Sequence, residues 1–260
     1  MNYPSTVYGP VRSWRVGASL GVDLLCVNSI CSFRCNYCQL GKTNLHTLER
    51  KVYVPTRRVL SDLRRSAWPS ADVVTFSGSG EPTLAANLAE AIREVKALTA
   101  RPVVVLTNSS TLNLKQVRRD LREADRVFCK LDATDDHTFR LINRPVEGLN
   151  ARRVIEGIKS LRKEYGGHLA VQIMLQRLHR GQAHQFAEAL NEIRPDEVQL
   201  NLPTRAVPQR WFVEARGNDA ESPVRAIAPK LLTAEEVALI ESEIRGLTGL
   251  AVSSACSRLS

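Results

Sequence analysis

The chain has 260 residues, of which 43% are hydrophobic and 24% charged, and its formal charge is +9. That balance describes one folded unit with a large core; it excludes a disordered polymer, and six cysteines are too sparse for a disulfide-stapled scaffold. No stretch approaches the roughly 18 apolar residues of a membrane span, and residues 1–17 lack an apolar run of signal-peptide length, so the expectation is a cytoplasmic protein with no membrane contact.

From the N-terminus, residues 21–27 read as a first strand leading into SICSFRCNYC, where Cys31, Cys35 and Cys38 stand at C-x3-C-x2-C spacing. No fourth cysteine follows at a spacing that would close a tetrahedron. Three thiolates leave one metal position open, whereas structural zinc sites and electron-transfer clusters are normally closed by four. His46 is the nearby residue that could complete a zinc site, and that alternative stays open. Residues 56–65 place Val59, Leu60 and Leu63 on one helical face. DVVTF at 72–76 reads as a buried strand and ends in Ser77-Gly78-Ser79-Gly80-Glu81-Pro82-Thr83, a glycine-rich turn where barrel enzymes keep their chemistry. It has neither the spacing nor the lysine of a phosphate loop.

Helix and strand signals then alternate. Leu88, Ile92 and Val95 mark a helix; residues 102–107 form a strand ended by Asn108; Leu114, Val117 and Leu121 mark the next helix. Residues 126–132 form a strand, and Val154, Ile158 and Leu161 a helix. Residues 169–175 form a strand, Phe186, Leu190 and Ile193 a helix, and residues 197–202 the sixth strand. Six such units imply parallel pairing and right-handed crossovers. The expected fold is α/β, a partial (β/α)6 TIM-like barrel. It forms a single domain over residues 1–260, with its core at about 19–205 and a C-terminal helical appendage from about 206 to 260. Alternation along the strands points Lys130, Asp132, Gln172, Gln176, Gln199 and Asn201 inward. A polar lining either holds a ligand or satisfies itself in a closed core. Residues 203–217 read as an irregular arm able to close the open side of the barrel, and residues 218–229 as a mobile loop. Thr233 and Glu236 form a capping box before a last amphipathic helix carrying Val237, Ile240, Ile244 and Leu247.

The cysteine triplet, Tyr37 before its last member, and GSGEP forty residues after Cys38 together resemble the radical SAM superfamily. The resemblance implies a [4Fe-4S] cluster on Cys31, Cys35 and Cys38 with S-adenosylmethionine (SAM) on the open iron. It also implies reductive cleavage of SAM to a 5′-deoxyadenosyl radical, fed by a flavodoxin- or ferredoxin-type donor. The cofactor-binding positions it implies are Tyr37, Gly78, Ser79, Gly80 and Glu81, to which strand ends and inward strand faces add Asn108, Asp132, Gln172 and Asn201. Glu81 would be the acidic partner of the SAM amino group; Asp132 would either accept the ribose hydroxyls or cap the following turn.

The runs VTFSGSGEPTL, VVVLTNSSTL, KLDATDDHTFRLINRP and DEVQLNLPTR further resemble the branch containing the tRNA wyosine-base (4-demethylwyosine) synthases. That likeness implies a tRNA base as substrate and a Schiff-base lysine. Lys130 is the candidate catalytic residue, a plain salt bridge to Asp132 being the other reading. Those synthases carry a second cluster on upstream cysteines, whereas only Cys26 lies upstream here; Cys129 and Cys256 read as free thiols. The doublets Arg57/Arg58, Arg64/Arg65, Arg118/Arg119 and Arg152/Arg153 either attract nucleic acid or form ordinary solvated helix faces. If the substrate is RNA, Arg205, Arg210, Trp211 and Arg216 should stand near the mouth. The alternatives are a peptide, protein or metabolite substrate or, in another class, a basic nucleic-acid-binding protein with a structural metal site. A monomer is expected.

Overall fold

The β-branched runs assemble into one eight-stranded sheet in a computed structural model that describes residues 4–217 and 226–254. Its strands are β1 (Val7–Ser13), β2 (Gly17–Val22), β3 (Val73–Phe76), β4 (Val103–Thr107), β5 (Arg126–Lys130), β6 (His168–Met174), β7 (Glu197–Asn201) and β8 (Val252–Ser254). Each strand pairs with its neighbours in sequence. The β1–β2 hairpin is antiparallel, and every later pairing is parallel. The sheet curls into a partial barrel, as a parallel, right-twisted sheet with helices on its outer face does.

The crossovers carry α1 (Thr56–Arg64), α2 (Leu88–Thr99), α3 (Lys115–Leu121), α4 (Asp136–Ile142), α5 (Ala151–Glu164), α6 (Ala183–Ile193) and α7 (Ala234–Thr248). Each long helix buries one stripe, such as Leu88, Ala91, Ile92 and Val95 on α2 and Val154, Ile155, Ile158 and Leu161 on α5. These stripes belong to one cluster with Val74, Phe76, Val105, Val127, Val171, Ile173, Val198 and Leu200 of the sheet. Each large aliphatic chain buried there contributes about 1.5–3 kcal/mol. The alternate strand positions face the barrel interior. Near the amino ends they are apolar, with Val73, Val104, Phe128 and Ala170 packed with Val16 and Leu106. Toward the carboxyl ends they turn polar, with Thr75, Lys130, Gln172 and Gln199.

Two expectations are corrected. The strand that leads into the cysteine loop is Gly17–Val22, not residues 21–27. Leu24, Leu25 and Cys26 are apolar because they plug the core from a turn. The sheet also gains β1 and β8, so seven of its own strands run parallel rather than six. The C-terminal helical appendage packs on the barrel through α7 against α6, and it ends in β8, which pairs with β7. The capping box forms as expected, Thr233 accepting from the amide of Glu236 while the Glu236 carboxylate accepts from that of Thr233. Of the expected mobile loop, residues 218–225 lie outside the described residues, as does Cys256; Ala226–Ile227 pairs with Val207–Pro208. Among the described residues no helix is long and apolar enough to cross a membrane.

Candidate cofactor site at the carboxyl ends of the strands

After β2 the chain turns through residues 23–29 and then runs beside the glycine-rich turn that follows β3. The Ile30 amide donates to the Ser79 carbonyl at 2.8 Å, and the Glu81 amide donates to the Ile30 carbonyl at 3.1 Å. This ladder is possible only with glycine at 80, where φ is +151° and a Cβ would stand 1.6 Å from the Ile30 carbonyl oxygen. Gly78 is similar, with φ +119° and a Cβ position 2.4 Å from the Asp23 carboxyl carbon. The two glycines thus let the turn approach the chain's own first loop. A Gly80→Ala variant should lose about 2 kcal/mol or more in urea unfolding, because backbone has to move to admit the methyl group.

Two of the cysteine sulfurs, those of Cys31 and Cys35, are met by N–H donors. Cys31 Sγ accepts from the Phe33 amide at 3.4 Å and from Asn108 Nδ2 at 3.4 Å. Cys35 Sγ accepts from Asn143 Nδ2 at 3.5 Å, and the Gly41 amide donates to the Cys38 carbonyl at 2.9 Å. Burial pushes the Cys31 thiol well above its ordinary range, helped by the neighbouring Cys35. Burial and then the Asp132 charge push Cys35 up to about 12, and burial also raises Cys38. Metal-free, these thiols are protonated at neutral pH, so iron binding has to expel protons. Among the described residues no three His, Cys, Asp or Glu side chains converge closely enough to share one metal ion. Three thiols supplied by one loop at C-x3-C-x2-C spacing are soft donors of the kind that hold an iron–sulfur cluster. His46, the candidate fourth zinc ligand, instead donates Nε2–H to the Ser32 carbonyl at 3.0 Å.

The acidic residues chosen from the sequence are held by the protein itself. Glu81, 1% exposed, accepts from the Thr83 amide and hydroxyl, the Thr107 hydroxyl and the Asn108 amide. Burial raises its pKa against those hydrogen bonds. Its oxygens brace the turn and place Asn108 against Cys31 and Ser32. Asp132 accepts from Tyr37 Oη and Asn143 Nδ2 on one oxygen and from the Met174 amide on the other, which also pairs with Lys130 Nζ at 3.0 Å. In this arrangement both of its oxygens are bonded within the protein. Burial alone would raise its pKa, but the Lys130 ammonium and these hydrogen bonds hold it below the usual carboxylate range.

The salt-bridge reading of Lys130 is the one observed, with the ammonium 5.0 Å from the Tyr37 ring centroid. Lys130 Nζ has no aligned hydrogen bond, and Asn143 Oδ1 has no partner. A donor and an acceptor, both buried around Asp132 and next to Tyr37 and Cys35, suit a polar ligand. Deeper in the barrel, Gln172 donates to Gln199 at 3.2 Å and Gln199 to Glu197 at 2.6 Å, so this part of the lining satisfies itself. Gln176 makes a two-way amide pair with Asn36 of the cysteine loop, and Asn201 ends β7 beside Met174. Asn143 and Asp23 were missed from the sequence. Asn143 lies within the KLDATDDHTFRLINRP run, and Asp23 is the first polar residue past a strand end.

The profile of the Radical SAM superfamily matches residues 25–191. A UPF0026 protein of Synechocystis is 44% identical over 218 residues, which are 84% of this chain and 82% of that protein. Among solved structures, Streptococcus suis SuiB bound to S-adenosylmethionine aligns with a TM-score of 0.59 at 18% identity, covering 87% of this chain and 48% of that one. Archaeal TYW1 aligns with a TM-score of 0.51 at 12% identity, over 88% of this chain and 72% of that one. At such identities the structural likenesses establish the fold.

Proposed function

The chain belongs to the radical SAM superfamily and within it to the UPF0026 proteins, and from that premise we propose that Cys31, Cys35 and Cys38 hold the cluster of an enzyme that modifies a tRNA base. The cofactors of this enzyme class are a [4Fe-4S] cluster and SAM. When bound they supply reductive cleavage of the sulfonium C–S bond and abstraction of a hydrogen atom from the substrate. The observation that supports the residue assignment is that the half-buried cysteine loop, with N–H donors on the Cys31 and Cys35 sulfurs, meets the braced turn at 78–81 and the Asp132 group at one end of the barrel.

In this reading the chain's own residues position and shelter. Asn108 and Asn143 donate to the sulfurs and tune the cluster. Residues 78–80 offer backbone to SAM, Tyr37 walls one side, and Lys130 Nζ presents donors to an anionic or carbonyl group. The buried interior keeps water from the reacting centre.

The tRNA reading is supported by the charge of +9 and by the wyosine-branch motifs. The arginines expected at the mouth divide. Arg205 donates to the carbonyls of Ala215 and Gly217, and Arg216 to Asp23, Val213 and Ser5. That leaves exposed Arg210 beside half-buried Trp211 for nucleic acid. Several doublet arginines also serve the protein, Arg118 pairing with Glu164 and Arg152 with Glu156 and Glu192. These internal pairings favour the second reading, a peptide or metabolite substrate.

Arg210→Glu should weaken tRNA binding and lower the slope of log affinity against log salt by about one, leaving substrate-free SAM cleavage intact. No tRNA binding at low salt, or binding indifferent to this change, selects the second reading. Mass spectrometry of tRNA nucleosides and proteome peptides from cells with and without the gene identifies the product.

A further inference from the structure

The arm at residues 203–217 leaves β7 near one edge of the curled sheet and reaches β1 at the other. On the way it touches both halves of the cofactor site. The Phe212 amide donates to the Leu40 carbonyl at 3.0 Å, and Gln39 Nε2 donates to the Ala215 carbonyl at 2.8 Å. Glycine is required at 41, where a Cβ would fall 2.1 Å from the Arg210 carbonyl oxygen. Residues 39–41 directly follow Cys38, so this contact seats the arm on the cysteine loop.

The second contact is ionic. Arg216 Nη1 stands 2.9 Å from Asp23 Oδ2, with the two side chains 7% and 0% exposed. The same Asp23 carboxylate accepts from the Ser79 amide at 2.9 Å, the Ser79 hydroxyl at 2.7 Å and the Leu25 amide at 2.8 Å. The Arg216 guanidinium also lies 4.9 Å from the Tyr8 ring centroid, and the Tyr8 hydroxyl bonds Ser77 Oγ at 2.6 Å. Residues 77 and 79 are therefore each anchored through a group that Arg216 covers or neutralises.

We propose that Asp23 and Arg216 are positioning residues for the turn at 78–81, and that the arm is a clasp whose docking and SAM binding reinforce each other. The proposal rests on the reading of that turn as the SAM-binding segment. Asp23 has four donors, three of them on Oδ2 and one on Oδ1, and only Arg216 among them carries charge. Without the guanidinium a buried anion loses its counter-ion, and it relaxes by letting water in or by releasing Ser79. With the guanidinium the turn is ordered before the ligand arrives, which lowers the entropy cost of binding. Coupling of this kind is reciprocal, so SAM has to hold the arm down as firmly as the arm favours SAM.

The test compares wild type with Arg216→Met and Arg216→Lys, all reconstituted anaerobically. It reads iron per chain, SAM affinity, dithionite-dependent 5′-deoxyadenosine, and hydrogen exchange of residues 205–217 with and without SAM. Arg216→Met should keep its iron and bind SAM about tenfold more weakly, within the ~5–150-fold range of coupled sites. Arg216→Lys should recover part of the affinity. SAM should slow exchange at residues 212–216 in wild type. Full SAM affinity in folded Arg216→Met overturns the proposal, as does arm exchange indifferent to SAM. If Arg216→Met does not fold, the lysine variant and the wild-type exchange measurement decide. Wild type that takes up no iron and cleaves no SAM defeats the cofactor assignment as well, whereas wild type that does both with an indifferent arm overturns the clasp alone.

Discussion

Anaerobically reconstituted Cys35→Ala is expected to fall from about four irons per chain to near none and to release no 5′-deoxyadenosine with dithionite. The physical reason is that the loop offers only three thiols, so one substitution leaves two points of attachment for a cube that needs three. Cys35 is also the thiol joined to the Asp132 group: its sulfur accepts from Asn143 Nδ2, the same amide that donates to Asp132. The variant should otherwise fold, because its sulfur packs at the edge of the core rather than within it. Retention of four irons would remove Cys35 from the ligand set. Zinc in the wild-type protein together with no turnover of SAM would instead return the triplet to the structural-metal reading.

Asp132→Ala is expected to have the largest effect on stability, about 3–5 kcal/mol, measured by urea unfolding at matched iron content. Its carboxylate is 3% exposed and serves Tyr37, Asn143, the Met174 amide and Lys130, so its loss strands a buried ammonium and three donors at once. The same group sets a pH dependence. Its folded pKa lies below the unfolded value, so the folded state binds the proton less readily than the unfolded chain. The stabilisation is therefore present in full above the ordinary carboxylate range, about pH 4, and is lost as the pH falls below it. Wild-type stability should drop below about pH 4, and Asp132→Ala should lack this part of the drop. A variant as stable as wild type, or one with an unchanged acid limb, would show that the ion pair does not hold the site together.

The parallel helix–strand order was legible in the sequence because burial imposes local patterns: period two or continuous β-branched runs in strands, and i, i+4, i+7 stripes in helices. The cysteine triplet was legible for a similar reason, since its ligands lie within eight consecutive positions and the spacing itself encodes the open coordination site. What could not be read were properties set by residues distant in the chain. VYGPVRS is broken by Gly9-Pro10, and Val252–Ser254 is only three residues long, so neither announces a strand; each is one because it lies against β2 or β7.

Charge behaved in the same way. Arg205 and Arg216 look like nucleic-acid contacts in a basic, aromatic arm, yet folding brings them to carbonyls and to Asp23, 193 positions away from Arg216. Glu81 and Asp132 look like ligand-facing acids, yet both are braced by neighbours contributed by other strand ends and loops. A side chain's type states what it can bond. Which partner satisfies it depends on burial, because a buried charge or polar group has to be met by whatever the fold places nearest, and only the tertiary structure supplies that neighbour.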